Sequence, residues 1–255
     1  MKPARVLIVA GSDSSGGAGI QADLKTAQAL GCYAMTAVTA VTAQDTRGVR
    51  AIHPVPPRIV AAQIEACLSD IGADAIKIGM LGSAALIRAV AAALKSVRAP
   101  IVLDPVMVSS GGDRLLPAGA HGTLIKALFP RAALVTPNLP ETRALVGLRG
   151  GTEAAARRLI ALGARAALIK GGHSTSATVD DVLVWNGGVE TYAFPRIRTR
   201  HTHGTGCTLS TAIACGLAQR LTLPLAVGRA REYVQAAIQT APGLGKGHGP
   251  LNHWR

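Results

Sequence analysis

The 255 residues suit one large α/β domain or two small ones, and 49% hydrophobic residues are enough for a sizeable core. A net charge of +13 asks for an acidic partner, but aromatics are only 3% of the chain and the basic residues are scattered, so nucleic acid is not the expected partner. No apolar stretch is long enough to span a bilayer, the run at 6–10 is too short for a signal peptide, and Cys32, Cys67, Cys207 and Cys215 form no C-x-x-C pair; a reduced, cytoplasmic chain without membrane association is expected.

Residues 5–10 read as a short buried strand, 11–19 as a loop and 20–30 as a helix. Two nucleotide motifs nearly fit that loop, and neither holds. A Walker A loop needs Lys-Ser/Thr after its second glycine, where Gly17-Ala18 stands. Gly17-Ala18-Gly19-Ile20-Gln21-Ala22 matches the dinucleotide spacing but does not open directly after the strand. The loop therefore reads as part of a small-molecule pocket. Residues 33–41 form a second strand with a polar exit at 42–46. This sets Gln44 where ligands bind in α/β sheets, with an amide able to donate to and accept from a heterocycle edge. Pro56-Pro57 opens a helix running to about Ile71.

Residues 74–81 read as a strand with a glycine exit, and about 83–97 as a helix. A further strand over 100–107 carries Asp104 at its tip, and the Ser/Gly-rich stretch 109–113 is a candidate lid with little conformation of its own. The strand at 132–136 leads to Asn138 and Glu141, oxygen ligands of the kind magnesium uses; Glu141 equally suits a helix N-terminus. Lys170 stands beside glycines at the tip of the next strand, 166–173. Residues 179–185 and 189–194, joined at Asn186-Gly187-Gly188, read as a hairpin. Closing helices follow at about 207–220 and 224–240, with no internal repeat and no linker long enough to divide the chain.

The chemistry is expected where Gly204-Thr205-Gly206 feeds the first of those helices. Unpaired N–H groups and the helix dipole at such a start favour an anion. Cys207 falls where a nucleophile or base would face that anion, and the same positive field should acidify its thiol. His201, His203 and Cys207 could be read as a zinc trio, but the anion loop already accounts for Cys207.

Several motifs now occur in order: Gly11-Ser-Asp-Ser-Ser-Gly-Gly-Ala-Gly-Ile-Gln-Ala-Asp23, Lys77-Ile-Gly-Met80, Leu103-Asp-Pro-Val-Met107, Thr136-Pro-Asn-Leu-Pro-Glu141, Lys170-Gly-Gly-His173 and Thr202-His-Gly-Thr-Gly-Cys207. Together they resemble the hydroxymethylpyrimidine/phosphomethylpyrimidine kinases of thiamine biosynthesis, within the ribokinase-like superfamily. The resemblance covers nearly the whole chain. It implies one three-layer α/β/α domain over 1–255 with a mostly parallel central sheet. It also implies two successive ATP-dependent phosphorylations of 4-amino-5-hydroxymethyl-2-methylpyrimidine, with Mg2+ and a homodimer. By position, Gly11, Asp23, Gln44, Met80 and Val106 would line the pyrimidine pocket. Gly204, Thr205 and Gly206 would form the anion hole on the ATP side, with Cys207 catalytic. Lys170 would steady the ATP phosphates, and Asp104, Asn138 and Glu141 would organise magnesium. Ser110 stands where the family often has a lid lysine. A pyridoxal or pyridoxine kinase of the same fold is the alternative, and a non-catalytic binder of phosphorylated ligands or nucleic acid a remote one.

Overall fold

The computed structural model describes residues 2–109 and 111–254. Its strands form one nine-stranded sheet in the order β3-β2-β1-β4-β5-β6-β7-β8-β9. The strands are β1 (Arg5–Asp13), β2 (Tyr33–Asp45), β3 (Gly48–Pro54), β4 (Ala75–Ile78), β5 (Ile101–Leu103), β6 (Leu134–Val135), β7 (Ala166–Ile169), β8 (Thr178–Trp185) and β9 (Gly188–Pro195). From β2 across to β7 every neighbour is parallel, while β3, β8 and β9 pair antiparallel at the two edges.

A parallel sheet needs cover on both faces, because its crossovers are helices. β1 shows the consequence. Val6, Ile8 and Ala10 pack on helices α1 (Gly19–Ala29), α7 (Thr205–Ala218) and α8 (Leu223–Gln239). Leu7 and Val9 point the other way, towards α2 (Pro57–Asp70), α3 (Ala84–Ala93), α4 (His121–Leu128) and α6 (Gly151–Ala161). The remaining helix, α5 (Leu139–Val146), follows β6. The expected α/β/α sandwich is present.

Two readings of the sequence change. The polar stretch 42–46 is no exit: β2 runs on to Asp45 and turns back as β3, which has no buried residue and so no apolar alternation to betray it. Helices α4 and α6 form where no helix was expected, and β5 and β6 are shorter than the apolar runs that contain them.

The strand order fixes where a ligand can bind. From β1 the chain moves outward to β2 through α1, then crosses back over the other face through α2 to reach β4 on β1's opposite side. The crevice beyond the carboxyl ends of β1 and β4 is the topological switch point of the sheet.

Because both faces of β1 are core, Leu7→Ala and Ile8→Ala should each cost about 2–5 kcal/mol of stability in urea denaturation. A tolerant response at either position would mean that one face is not covered as described.

Candidate active site

At the switch point lies a cavity of about 500 Å3, walled by the carboxyl ends of the parallel strands and by the start of α7. Gly11, Gln44, Met80 and Val106 line it as expected. A Cβ on Gly11 would sit 3.1 Å from the Met80 sulfur, so the glycine keeps this wall open. Gln44 lies within reach of His203, its Nε2 3.5 Å from the ring Nε2, and Thr42 Oγ1 is 3.1 Å from its Oε1.

The α7 start has the geometry of an anion site. Gly204 is the N-cap in the left-handed region (φ +84°), and no side chain caps the helix. A Cβ here would stand 1.9 Å from the carbonyl oxygen of Gly17, so the loops before α1 and α7 close on each other only through glycine. Thr205 N–H bonds back to the Thr202 carbonyl. The following N–H groups lie in the first turn, where the helix itself offers no acceptor. Gly206 is tucked against Asp104 and Lys170, whose Oδ2 and Nζ would each be 3.3 Å from its Cβ.

Lys170 Nζ is 2.6 Å from Asp104 Oδ1 and 4.0 Å from Glu141 Oε2. Burial works against the ammonium, but the two carboxylates outweigh it and hold the lysine above its ordinary range. Asn138 and Glu141 form a reciprocal capping box at the start of α5: Glu141 N–H donates to Asn138 Oδ1 at 2.8 Å and Asn138 N–H to Glu141 Oε2 at 2.7 Å. Both still line the cavity. Burial pushes the Glu141 carboxyl up to about 7, with Lys170 pulling it down and Asp104 adding to the rise.

Two sequence expectations are corrected. Asp23 does not line the cavity: it is fully buried, with Lys77 Nζ 2.7 Å from Oδ2 and Thr211 Oγ1 donating to Oδ1 at 2.7 Å. Cys207 lines the cavity, but its thiol is not acidified. Burial pushes it up to about 11; Lys77 opposes this, while the carboxylates of Asp23 and Asp104 add to it. The helix-start field is real, but desolvation and two nearby carboxylates exceed it.

The candidate lid is tied down at its described residues. Asp113 Oδ2 accepts from Ser109 Oγ at 3.0 Å and from Val49 N–H, on β3, at 2.9 Å. Ser110 lies outside the described residues. Among those residues no cluster of three or more His, Cys, Asp or Glu forms a metal centre, and His203 is engaged elsewhere: its Nε2 is 2.7 Å from Asp13 Oδ2.

The sequence reading gave no role to Lys77, to the Asp13–His203 pair, or to Asp181 and Arg231. Lys77 did carry a signal. A lysine inside the otherwise apolar Ala75-Ile76-Lys77-Ile78 strand must find a carboxylate when buried. The other partners are 190 and 50 residues apart in the chain and left no local pattern.

The Glu141 shift has a definite sign. Its folded pKa of about 7 exceeds the ordinary 4.5, so the folded protein holds this proton more firmly than the unfolded chain. The stabilisation is full below the ordinary pKa and is lost as pH rises through about 7. In metal-free buffer, Glu141→Gln should keep the cap while removing that loss, so its melting temperature gains on the parent between pH 4.5 and 7. Parallel melting curves across that window would contradict the assignment.

Comparison with known proteins places the chain in one family. The family model described as phosphomethylpyrimidine kinase matches residues 13–252. The bifunctional thiamine biosynthesis protein ThiED of Geobacter sulfurreducens is 52% identical over 97% of this chain, which spans 52% of that longer protein. The hydroxymethylpyrimidine/phosphomethylpyrimidine kinase of Streptomyces coelicolor is 49% identical, covering 98% of this chain and 94% of its own length. Among solved structures, an ADP complex of Bacillus subtilis pyridoxal kinase superposes with a TM-score of 0.91 at 36% identity, over 99% of this chain and 98% of its own. The chain belongs to the phosphomethylpyrimidine kinase family, on a ribokinase-like fold.

Proposed function

We propose that this chain, as one catalytic domain, phosphorylates 4-amino-5-hydroxymethyl-2-methylpyrimidine with ATP and then phosphorylates the monophosphate to the diphosphate. The observation that carries the reading is the uncapped α7 start facing the Lys170–Asp104 pair within a cavity that also holds Gln44. The names of the relatives supply the substrate, and the ADP-bound pyridoxal kinase supports a nucleotide on this fold.

The sheet order arranges the parts. Gly11, Met80 and Gln44 sit at the β1, β4 and β2 end and suit the flat ring, with Gln44 reading its edge. Asp104 and Lys170 follow at the ends of β5 and β7, where the transferred phosphoryl group would lie, and the nucleotide extends towards β8. In the first reaction the CH2OH oxygen bonds to the γ-phosphorus, the bond from that phosphorus to the β–γ bridging oxygen breaks, ADP leaves, and the hydroxyl proton is released to solvent. In the second, a phosphate oxygen of the product attacks a second ATP. Phosphoryl transfer asks mainly for alignment and charge stabilisation. The first-turn N–H groups after Gly204 and the Lys170 ammonium supply the latter.

The donor set fits magnesium that arrives with ATP. Two cavity-lining carboxylates, Asp104 and Glu141, suit an ion that keeps several waters and the substrate's phosphates, and Asn138 holds Glu141 in place by the capping box. When bound, the ion would offset charge on the phosphates. Cys207, a thiol at neutral pH, would orient the hydroxyl rather than act as a resident thiolate base. A homodimer in the cytoplasm completes the proposal, and sedimentation tests the assembly.

Product mass after incubation with ATP, magnesium and hydroxymethylpyrimidine tests the reading, with pyridoxal as the competing acceptor. Mono- and diphosphate of the pyrimidine are expected; turnover of pyridoxal alone would move the assignment. Gln44→Ala should weaken pyrimidine binding by about 1–3 kcal/mol with ATP affinity nearly unchanged. Unaltered pyrimidine affinity would take Gln44 out of the pocket. Cys207→Ala should slow the first phosphorylation by about 10²-fold, through loss of hydroxyl alignment. The second should slow less, since its acceptor is a phosphate oxygen and offers no CH2OH hydroxyl for the thiol to orient. Equal losses for the two acceptors would leave Cys207 a shaping residue only.

A further inference from the structure

The cavity contains a second buried ion pair that the mechanism above does not use. Asp181 on β8 is 1% exposed and Arg231 on α8 is 4% exposed, and both line the cavity. Asp181 Oδ1 accepts the Gly171 N–H at 2.7 Å, on the residue directly after Lys170. The turn has no slack at that point, because a Cβ on Gly171 would lie 2.2 Å from the Asp180 carbonyl oxygen. Asp181 thus fixes the backbone from which Lys170 reaches Asp104.

Its other oxygen is paired less completely. Arg231 Nε lies 3.0 Å from Asp181 Oδ2, but the two are not aligned, and neither atom has a hydrogen-bond partner among the described residues. The guanidinium rests over the Phe194 ring, 4.9 Å from its centroid. An arginine buried to this degree, with one misaligned carboxylate and a buried Nε that no acceptor satisfies, is costly unless a ligand's acceptor completes it. Apolar side chains line the same part of the cavity, among them Val179, Ile197 and Ile238, as a ring would require. The sheet order places this region beyond Lys170, on the side away from Gln44.

We infer that Arg231 binds the nucleotide, its guanidinium donating to an acceptor oxygen of the ribose–phosphate, and that Asp181 is the positioning residue that aims both Arg231 and the Lys170 turn. The inference rests on the nucleotide lying on the β7–β8 side, as in the proposed function. The pair then links nucleotide occupancy to the lysine that stabilises the transferred phosphoryl group.

ADP affinity by calorimetry tests this without turnover, alongside KM for ATP and for the pyrimidine, with folding followed by thermal melt. Arg231→Gln should weaken ADP binding and raise KM for ATP by about tenfold or more, leaving the pyrimidine KM within about twofold. Asp181→Asn keeps an acceptor for the Gly171 N–H but loses the charge that faces Arg231, so it should weaken ADP binding more than it lowers kcat, whereas Asp181→Ala should lower both. Unchanged ADP affinity in folded Arg231→Gln overturns the inference, as does an equal loss for both substrates. If Arg231→Gln does not fold, Asp181→Asn carries the same split and is read the same way. Failure of the parent protein to phosphorylate the pyrimidine while ADP binding still depends on Arg231 would sink the substrate assignment and leave this inference standing.

Discussion

A lysine sealed in the interior holds the active end of the molecule together. Lys77 is fully buried on β4, and its ammonium meets Asp23 of α1, whose second oxygen takes the hydroxyl of Thr211 from α7. Three elements from distant parts of the chain thereby share one buried charge pair. Breaking such a pair from one side leaves an uncompensated charge, which costs far more than the intact pair contributes. The pair also sits close enough to Cys207 for both of its charges to act on the thiol. Scaffold and chemistry are therefore not separable here: the same carboxylate that anchors α1 to α7 helps keep Cys207 protonated.

Three cations at or beside the cavity are each paired with a carboxylate. Lys77 faces Asp23, Lys170 faces Asp104 with Glu141 behind it, and Arg231 faces Asp181. Each of these three cations has an acidic partner, whereas Arg196, also in the lining, bonds among the described residues only to backbone carbonyls and the Ser174 hydroxyl. What lacks a hydrogen-bond partner among those residues is finer: the first-turn N–H groups of α7, which no side chain caps, and the Nε of Arg231, which meets Asp181 in charge but not in alignment. An entering polyphosphate finds directed donors rather than a diffuse positive field. That suits a transfer in which charge must be met at particular oxygens.

Glycine allows the close approaches that make this arrangement possible. Gly204 lies so near the Gly17 carbonyl that any side chain would separate the loop before α1 from the loop before α7. Asp13 reinforces the same junction, accepting N–H groups from Ser15 and Ala18 with one oxygen each while His203 Nε2 stands 2.7 Å away. Since His203 directly precedes Gly204 and also neighbours Gln44, the α7 entry loop and the Gln44 side chain share one anchor.

Local pattern was enough for much of this protein. The apolar runs of β1, β4, β5 and β7, the Asn186-Gly187-Gly188 turn, the proline opening α2 and the glycine-rich entry to α7 each follow from backbone preference or burial, which neighbouring residues reveal. The ordered motifs pointed to Gln44, Asp104, Lys170 and Cys207, and these four line one cavity. Position alone could not say which way a side chain faces or what surrounds it. Asp23 looked like a pocket residue and is a buried anchor, because Lys77 and Thr211 lie 54 and 188 residues away. Cys207 looked acidified at its helix start and is held as a thiol, because burial and two remote carboxylates outweigh the local field. Strand β3 left no trace because its side chains are not buried, and Arg231 stayed hidden until α8 folded against β8. Conformational preference is a property of neighbouring residues; desolvation and charge pairing are properties of the enclosed space, and only the tertiary structure creates that space.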